Sequence, residues 1–175
     1  MSAVPLERIH DLSRLPEAGY ELDVHPGTEE LRALAKWAGV DEVSNLQAHV
    51  LVRAQSKTRF LEEAQFDADI VQSCVVTLEP VHTHITRSFT RMLQLTPGIE
   101  RIAHQAGPVA VAAAAEDSPD EIDSPVYDLG TPLREELVLA IDPYPRAPGV
   151  AFEPPVAKDR PQSPFTVLKK LKRTR

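Results

Sequence analysis

Between Val43 and Leu95 the apolar residues fall on alternate positions. In "NLQAHVLVR", Leu46, Ala48, Val50 and Val52 alternate with Gln47, His49, Leu51 and Arg53, the period of a half-buried strand. "RFLEEAQFDADIVQSCVVTL" places Phe60, Ala64, Phe66, Ala68, Ile70, Cys74, Val76 and Leu78 on one parity, with Glu63, Gln65, Asp67, Asp69 and Ser73 on the other. It predicts one long strand, or two joined by a bulge. After Glu79-Pro80, "VHTHITRSFTRMLQL" continues with Val81, Ile85, Phe89, Leu93 and Leu95 on a shared parity. Three or more antiparallel strands joined by short turns are expected.

Two stretches change to helical spacing. In "GTEELRALAKWAGV", Thr28 is the expected N-cap, Glu29 and Glu30 suit the first turn, and Gly39 stops the helix. Leu31, Leu34, Ala35 and Ala38 form its apolar stripe, and Trp37, beside the stripe, is expected to pack into the core. In "YDLGTPLREELVLAIDPYPR", Thr131 as N-cap and Pro132 at the first helical position predict a second helix with Leu133, Leu137, Ala140 and Ile141 inward. Glu135 and Glu136 are expected near its positive end, and Asp142-Pro143 to stop it. Ahead of the first helix, "VPLERIHDL" and "GYELDVHPG" read as short edge strands. The fold class expected is α+β, a mainly antiparallel sheet or partial barrel flanked by two helices.

Composition sets the boundaries of that unit. With 175 residues the chain suits one domain, expected over 1–143. Within it, residues 96–126 hold an alanine run and then five acids without a base, a mobile acidic loop by composition. Residues 144–175 read as a disordered, proline-rich basic tail, with "PFTVLKKLKR" able to form a short helix on a partner. Lys158 to Arg175 holds seven bases against Asp159 alone, +6, leaving −13 for the remainder of a chain of formal net charge −7. An acidic body with a basic end fits contact with nucleic acid or an acidic partner through the end. No apolar run is long enough to span a bilayer, and "MSAVPLERIHDLSRLPEAG" lacks the apolar segment of a signal peptide, so the cytoplasm is expected.

The candidate chemistry concentrates in "SCVVTLEPVHTH", which holds the only cysteine and two of six histidines. A tight Glu79-Pro80 turn would pair Leu78 with Val81, Thr77 with His82 and Cys74 with Ile85. Cys74 then faces the core while His82 and His84 face outward, and the contact that a Cys-His nucleophile requires is denied. Two histidines without a third ligand do not make a zinc site, so neither metal nor cofactor is expected. Outward His82 and His84 could join Arg53, Arg87 and Arg91 on RNA.

Two stretches, "IVQSCVVTLEPV" and "YDLGTPLREELVLAIDPYPR", together with the terminal "SPFTVLKKLK", resemble the YceD-like family of large ribosomal RNA subunit accumulation proteins, in particular its alphaproteobacterial branch. The motif positions are Cys74, Asp128, Gly130, Glu135, Glu136, Asp142 and Pro143. Where many relatives carry Cys-x-x-Cys, this chain has Cys74 and Thr77, and a metal or redox role does not carry over. The resemblance implies a non-enzymatic ribosome-biogenesis factor whose partners are large-subunit ribosomal RNA or its precursor, and a ribosomal protein or assembly factor. RNA or partner contact is expected at Lys169, Lys170, Lys172, Arg173, Arg87 and Arg91. The alternative is an adaptor or chaperone whose acidic body holds a basic large-subunit ribosomal protein.

Overall fold

The computed structural model describes residues 4–96 and 119–151. The order is β1 (Ile9–Asp11), a single 3-10 turn (Leu12–Arg14), β2 (Tyr20–Val24), α1 (Thr28–Ala38), β3 (Glu42–Ala54), β4 (Arg59–Ser73), β5 (Pro80–Leu95), β6 (Asp120–Ile122), β7 (Val126–Asp128) and α2 (Gly130–Ala140). The fold is α+β. An open five-stranded sheet runs β2-β3-β4-β5-β6, and β1 pairs with β7 in a second, two-stranded sheet.

The period-two segments became the three long strands. Ala48 lies opposite Phe66, Val50 opposite Ala64, and Ala68 opposite Ile85, so the apolar parities of β3, β4 and β5 share one face. Leu34 of α1 and Leu133 and Leu137 of α2 join that same buried cluster. Both helices therefore cover one face. The other face of β2–β5 carries no described element.

Local differences from expectation have physical causes. α1 begins on Gly27, whose carbonyl accepts from Leu31, while Thr28 makes no side-chain cap. Glu30 serves outside the helix: its carboxylate accepts from the Leu6 amide at 2.9 Å and from Arg8 at 2.9 and 3.0 Å. Trp37 is 47 % exposed, beside the stripe rather than in the core. β6 and β7 lie in a stretch without alternation; β6 gains its partners from Leu93–Leu95, to which it runs parallel. Those residues fall partly within the expected loop 96–126, of which 97–118 lie outside the described residues.

The expected tight turn after β4 is a six-residue loop instead. Cys74 donates its amide to the Glu79 carbonyl at 2.8 Å and accepts from the Leu78 amide at 2.9 Å, with Leu78 in the left-handed region at φ 63°. Ser73 pairs with Pro80 and Val71 with His82, so each partner moves six residues from its expected place. Six is even, and faces survive an even slip. Cys74 is buried and His82 and His84 are exposed, as the parity required.

Candidate functional site

The motif residues assemble at three places on the covered side and its end. The first is a hub at the start of α2. Burial pushes the Asp128 carboxyl up, but it accepts from the Arg8 amide (2.6 Å), the Gly130 amide (2.9 Å), Thr131 Oγ1 (3.0 Å) and Arg134 Nη2 (2.8 Å), and these donors hold it below its ordinary value. Asp128 thus caps α2, the role expected of Thr131. Arg134, almost fully buried, also donates to the Pro5 carbonyl at 2.9 Å. A Cβ on Gly130 would lie 1.6 Å from the Leu6 carbonyl oxygen, so only glycine lets the N-terminal segment cross here.

The second place is a clamp between β5 and α2. Arg91 donates to Glu135 at 2.7 Å and Glu136 at 3.3 Å, lies 3.6 Å from Asp120 of β6, and covers the Phe89 ring at 5.7 Å. Burial disfavours the guanidinium charge, but these carboxylates outweigh it and raise its pKa. Because α2 starts at Gly130, Glu135 and Glu136 lie past the first turn, and Arg91 rather than the helix dipole explains them. Beneath the clamp, Glu62 has no exposed surface, and neither carboxylate oxygen has a hydrogen-bond partner among the described residues. Desolvation pushes its pKa up to about 8; Arg91 opposes this, while Asp120, Asp128 and Glu135 add to it. Glu62 is therefore a neutral acid at neutral pH. Tyr127, raised by burial and then by Glu62, stays protonated beside it.

The third place is the β4–β5 loop. The chain after α2 folds back onto it: Gln72 Nε2 donates to the Asp142 carbonyl at 3.0 Å, Val75 to the Pro145 carbonyl at 2.9 Å, and the Ala147 amide to Cys74 Sγ at 3.4 Å. Asp142 turns the chain by accepting from the Tyr144 amide at 2.8 Å, and Pro143 beside it is exposed. The nearby Thr77 hydroxyl and then the Ala147 amide, which meets the sulfur at 3.4 Å, lower the thiol to about 6, and burial acts the other way. The sulfur has no exposed surface and accepts its hydrogen bond from Ala147, in the segment after α2. Among the described residues no group of three His, Cys, Asp or Glu side chains could hold a metal ion. Thr77 supplies a hydroxyl where a pair would supply a second thiolate, and the site does not fit a metal.

The expected RNA-contact residues divide. Arg87 is exposed on the helix-bearing side, opposite Phe66, and Arg91 is bound into the clamp. Lys169, Lys170, Lys172 and Arg173 lie outside the described residues. Glu62 and Arg134 were missed, although both interrupt apolar stripes, Glu62 between Phe60 and Ala64, and Arg134 beside Leu133. A charge on a core parity was the available signal.

On the open face two of the three histidines, His84 and His49, are held by carboxylates. His84 Nδ1 lies 2.7 Å from Asp69 and His49 Nδ1 2.8 Å from Asp23. The Asp69 hydrogen bond raises His84, and His84 together with Asn45 lowers Asp69.

These features define an α+β protein whose motif residues serve structure: a capped helix, a charge clamp and a closed loop. The family model of the large ribosomal RNA subunit accumulation protein YceD matches residues 63–172, and the chain belongs to that family. No curated protein and no solved structure matches the chain.

Proposed function

We propose that this protein supports the synthesis, processing or accumulation of large-subunit ribosomal RNA without catalysing a reaction, acting in the cytoplasm by binding precursor RNA or an assembly partner. The observation that carries this reading is the family match, which runs from β4 through the sheet and into the basic run as far as Lys172. Charge supports a division of labour. Phosphates are attracted to the +6 of Lys158–Arg175 and repelled by the −13 of the remainder. RNA contact belongs to Lys169, Lys170, Lys172 and Arg173, with Arg87 as an exposed arginine on the helix-bearing side of the sheet. The Arg91 guanidinium, already bonded to two carboxylates, holds α2 in place.

No helix among the described residues is long and apolar enough to cross a membrane. The test is binding of the full chain to large-subunit ribosomal RNA fragments across a salt series, with profiling of precursor ribosomal RNA in a depletion strain. Deleting residues 158–175 is expected to lower the log–log salt slope by about 3 or more, at ~0.7–0.9 per neutralised phosphate. An unchanged slope would remove the tail from the RNA contact, and normal precursor profiles on depletion would remove the assembly role.

A further inference from the structure

The side of the sheet that no described element covers carries a charge pattern that the RNA reading leaves unused. Register places Glu21, Asp23, Glu63, Asp67 and Asp69 on that face, while Arg53 and Arg59 lie together at its β3–β4 turn end. Arg53 is itself bridged to Glu63 at 3.0 Å. Among the carboxylates lie His84, 2.7 Å from Asp69 and 3.6 Å from Asp67, and His49, 2.8 Å from Asp23, with His82 on the same face. Gln65 and Ser88 form one neutral cross-strand pair, and Thr86 donates to Asp67 at 2.6 Å, so that with neutral histidines five carboxylates face two arginines. A face of this sign repels phosphate and attracts cations.

Its geometry narrows the kind of cation. Glu63, Asp67 and Asp69 lie on one strand at even separations, and two strand residues span ~6.8 Å. An extended polypeptide has the same repeat between its alternate side chains. A shallow depression bounded by His49, Leu51, Arg53, Glu63, Gln65, Ser88 and Thr90 sets the half-buried Leu51 side chain beside Glu63, whose carboxylate is shared with Arg53. Such a surface fits a lysine or arginine, whose methylene stem lies on apolar atoms while its head reaches a charge.

We infer that the open face docks an extended segment of a protein partner with lysine or arginine at alternate positions, running along β4. Residues 97–118 carry three acids against one base and do not match the face in charge. The inference deepens the assembly role by naming the chemistry of the partner, and it rests on that role only for the setting in which the partner is met.

The probe is a labelled peptide of about twelve residues alternating lysine and serine, titrated against the full chain, with a peptide of equal composition but contiguous lysines beside it. The alternating peptide is expected to bind more tightly, and Asp67→Asn/Asp69→Asn to weaken it by about ten-fold. Glu17→Gln/Glu29→Gln, which removes two exposed charges elsewhere, should change it less than about two-fold. Unchanged melting temperatures establish that both variants fold. Equal weakening by the two double variants, equal binding of the two peptides, or a cross-link from Asp69 to the chain's own residues 158–175 that the peptide fails to displace would each overturn the proposal. RNA accumulation in the depletion strain is scored separately, so failure of peptide binding and failure of the assembly role are distinguishable.

Discussion

β4 and β5 hold two acid–base pairs directly opposite each other in the same ladder, Asp69 with His84 and Glu62 with Arg91. The first, on the open face, closes to 2.7 Å and lowers the carboxyl. The second, under α2, forms no hydrogen bond: Arg91 turns to Glu135 and Glu136, and Glu62 stays neutral with its pKa near 8. The pairing geometry is shared, while the base, the cover and the carboxylates competing for the base differ. Desolvation and competition for one guanidinium decide the charge state, whereas sequence proximity does not.

The difference between the two pairs is greatest at Glu62. Its folded pKa, about 8, lies above the ordinary 4.5, so the folded chain holds a proton that the unfolded chain releases between those values. The sign follows: this contribution is fully present below pH 4.5 and is lost as pH rises through 8, by roughly 4–5 kcal/mol over the window. Glu62→Gln should abolish that slope, so urea unfolding at either end of the window should show the variant gaining on the wild type as pH rises. Parallel pH profiles would contradict the neutral acid.

Removing the cover should have the next largest effect. Gly130→Ala forces a methyl against the Leu6 carbonyl, with an expected loss of about 3 kcal/mol or more in denaturant unfolding and a flatter pH profile as water reaches Glu62. Arg91→Met leaves Glu135 and Glu136 able to rehydrate, and an expected loss of about 1–2 kcal/mol should accompany a further rise of the Glu62 pKa, read by carboxyl NMR titration. A fall in that pKa would show that Arg91 does not stabilise the Glu62 anion. The smallest effect belongs to the open pair. A double-mutant cycle of Asp69→Asn and His84→Ala should give coupling within experimental error at physiological salt. What coupling exists needs both charges, so it fades as pH rises through the raised His84 value or falls through the lowered Asp69 value.

The three long strands and the two helices were legible because one face of each is buried, and burial writes its period into the residue order. Cys74 inside and His84 outside followed from parity alone, even though the turn between them was misplaced. Glu79-Pro80 reads as a turn locally, yet the loop closes from Cys74 to Glu79 and is fastened by Pro145 and Ala147, which lie some seventy residues further on. β6, three residues long, left no periodic signal. The carboxylate network was the least legible part. Glu135 and Glu136 look like first-turn acids until α2 is seen to begin at Gly130 and Arg91 is found opposite them.

By itself the order of residues determined the fold class, which side of each long strand is buried, and the separation of an acidic body from a basic end, because periodicity and charge are properties of the chain before it folds. The tertiary structure alone decided that Asp128 caps α2, that Gly130 must lack a side chain, and that Glu62 loses its charge while Asp69 keeps it. Each of those outcomes depends on what lies within a few ångströms from elsewhere in the chain, and on how much water that neighbour excludes.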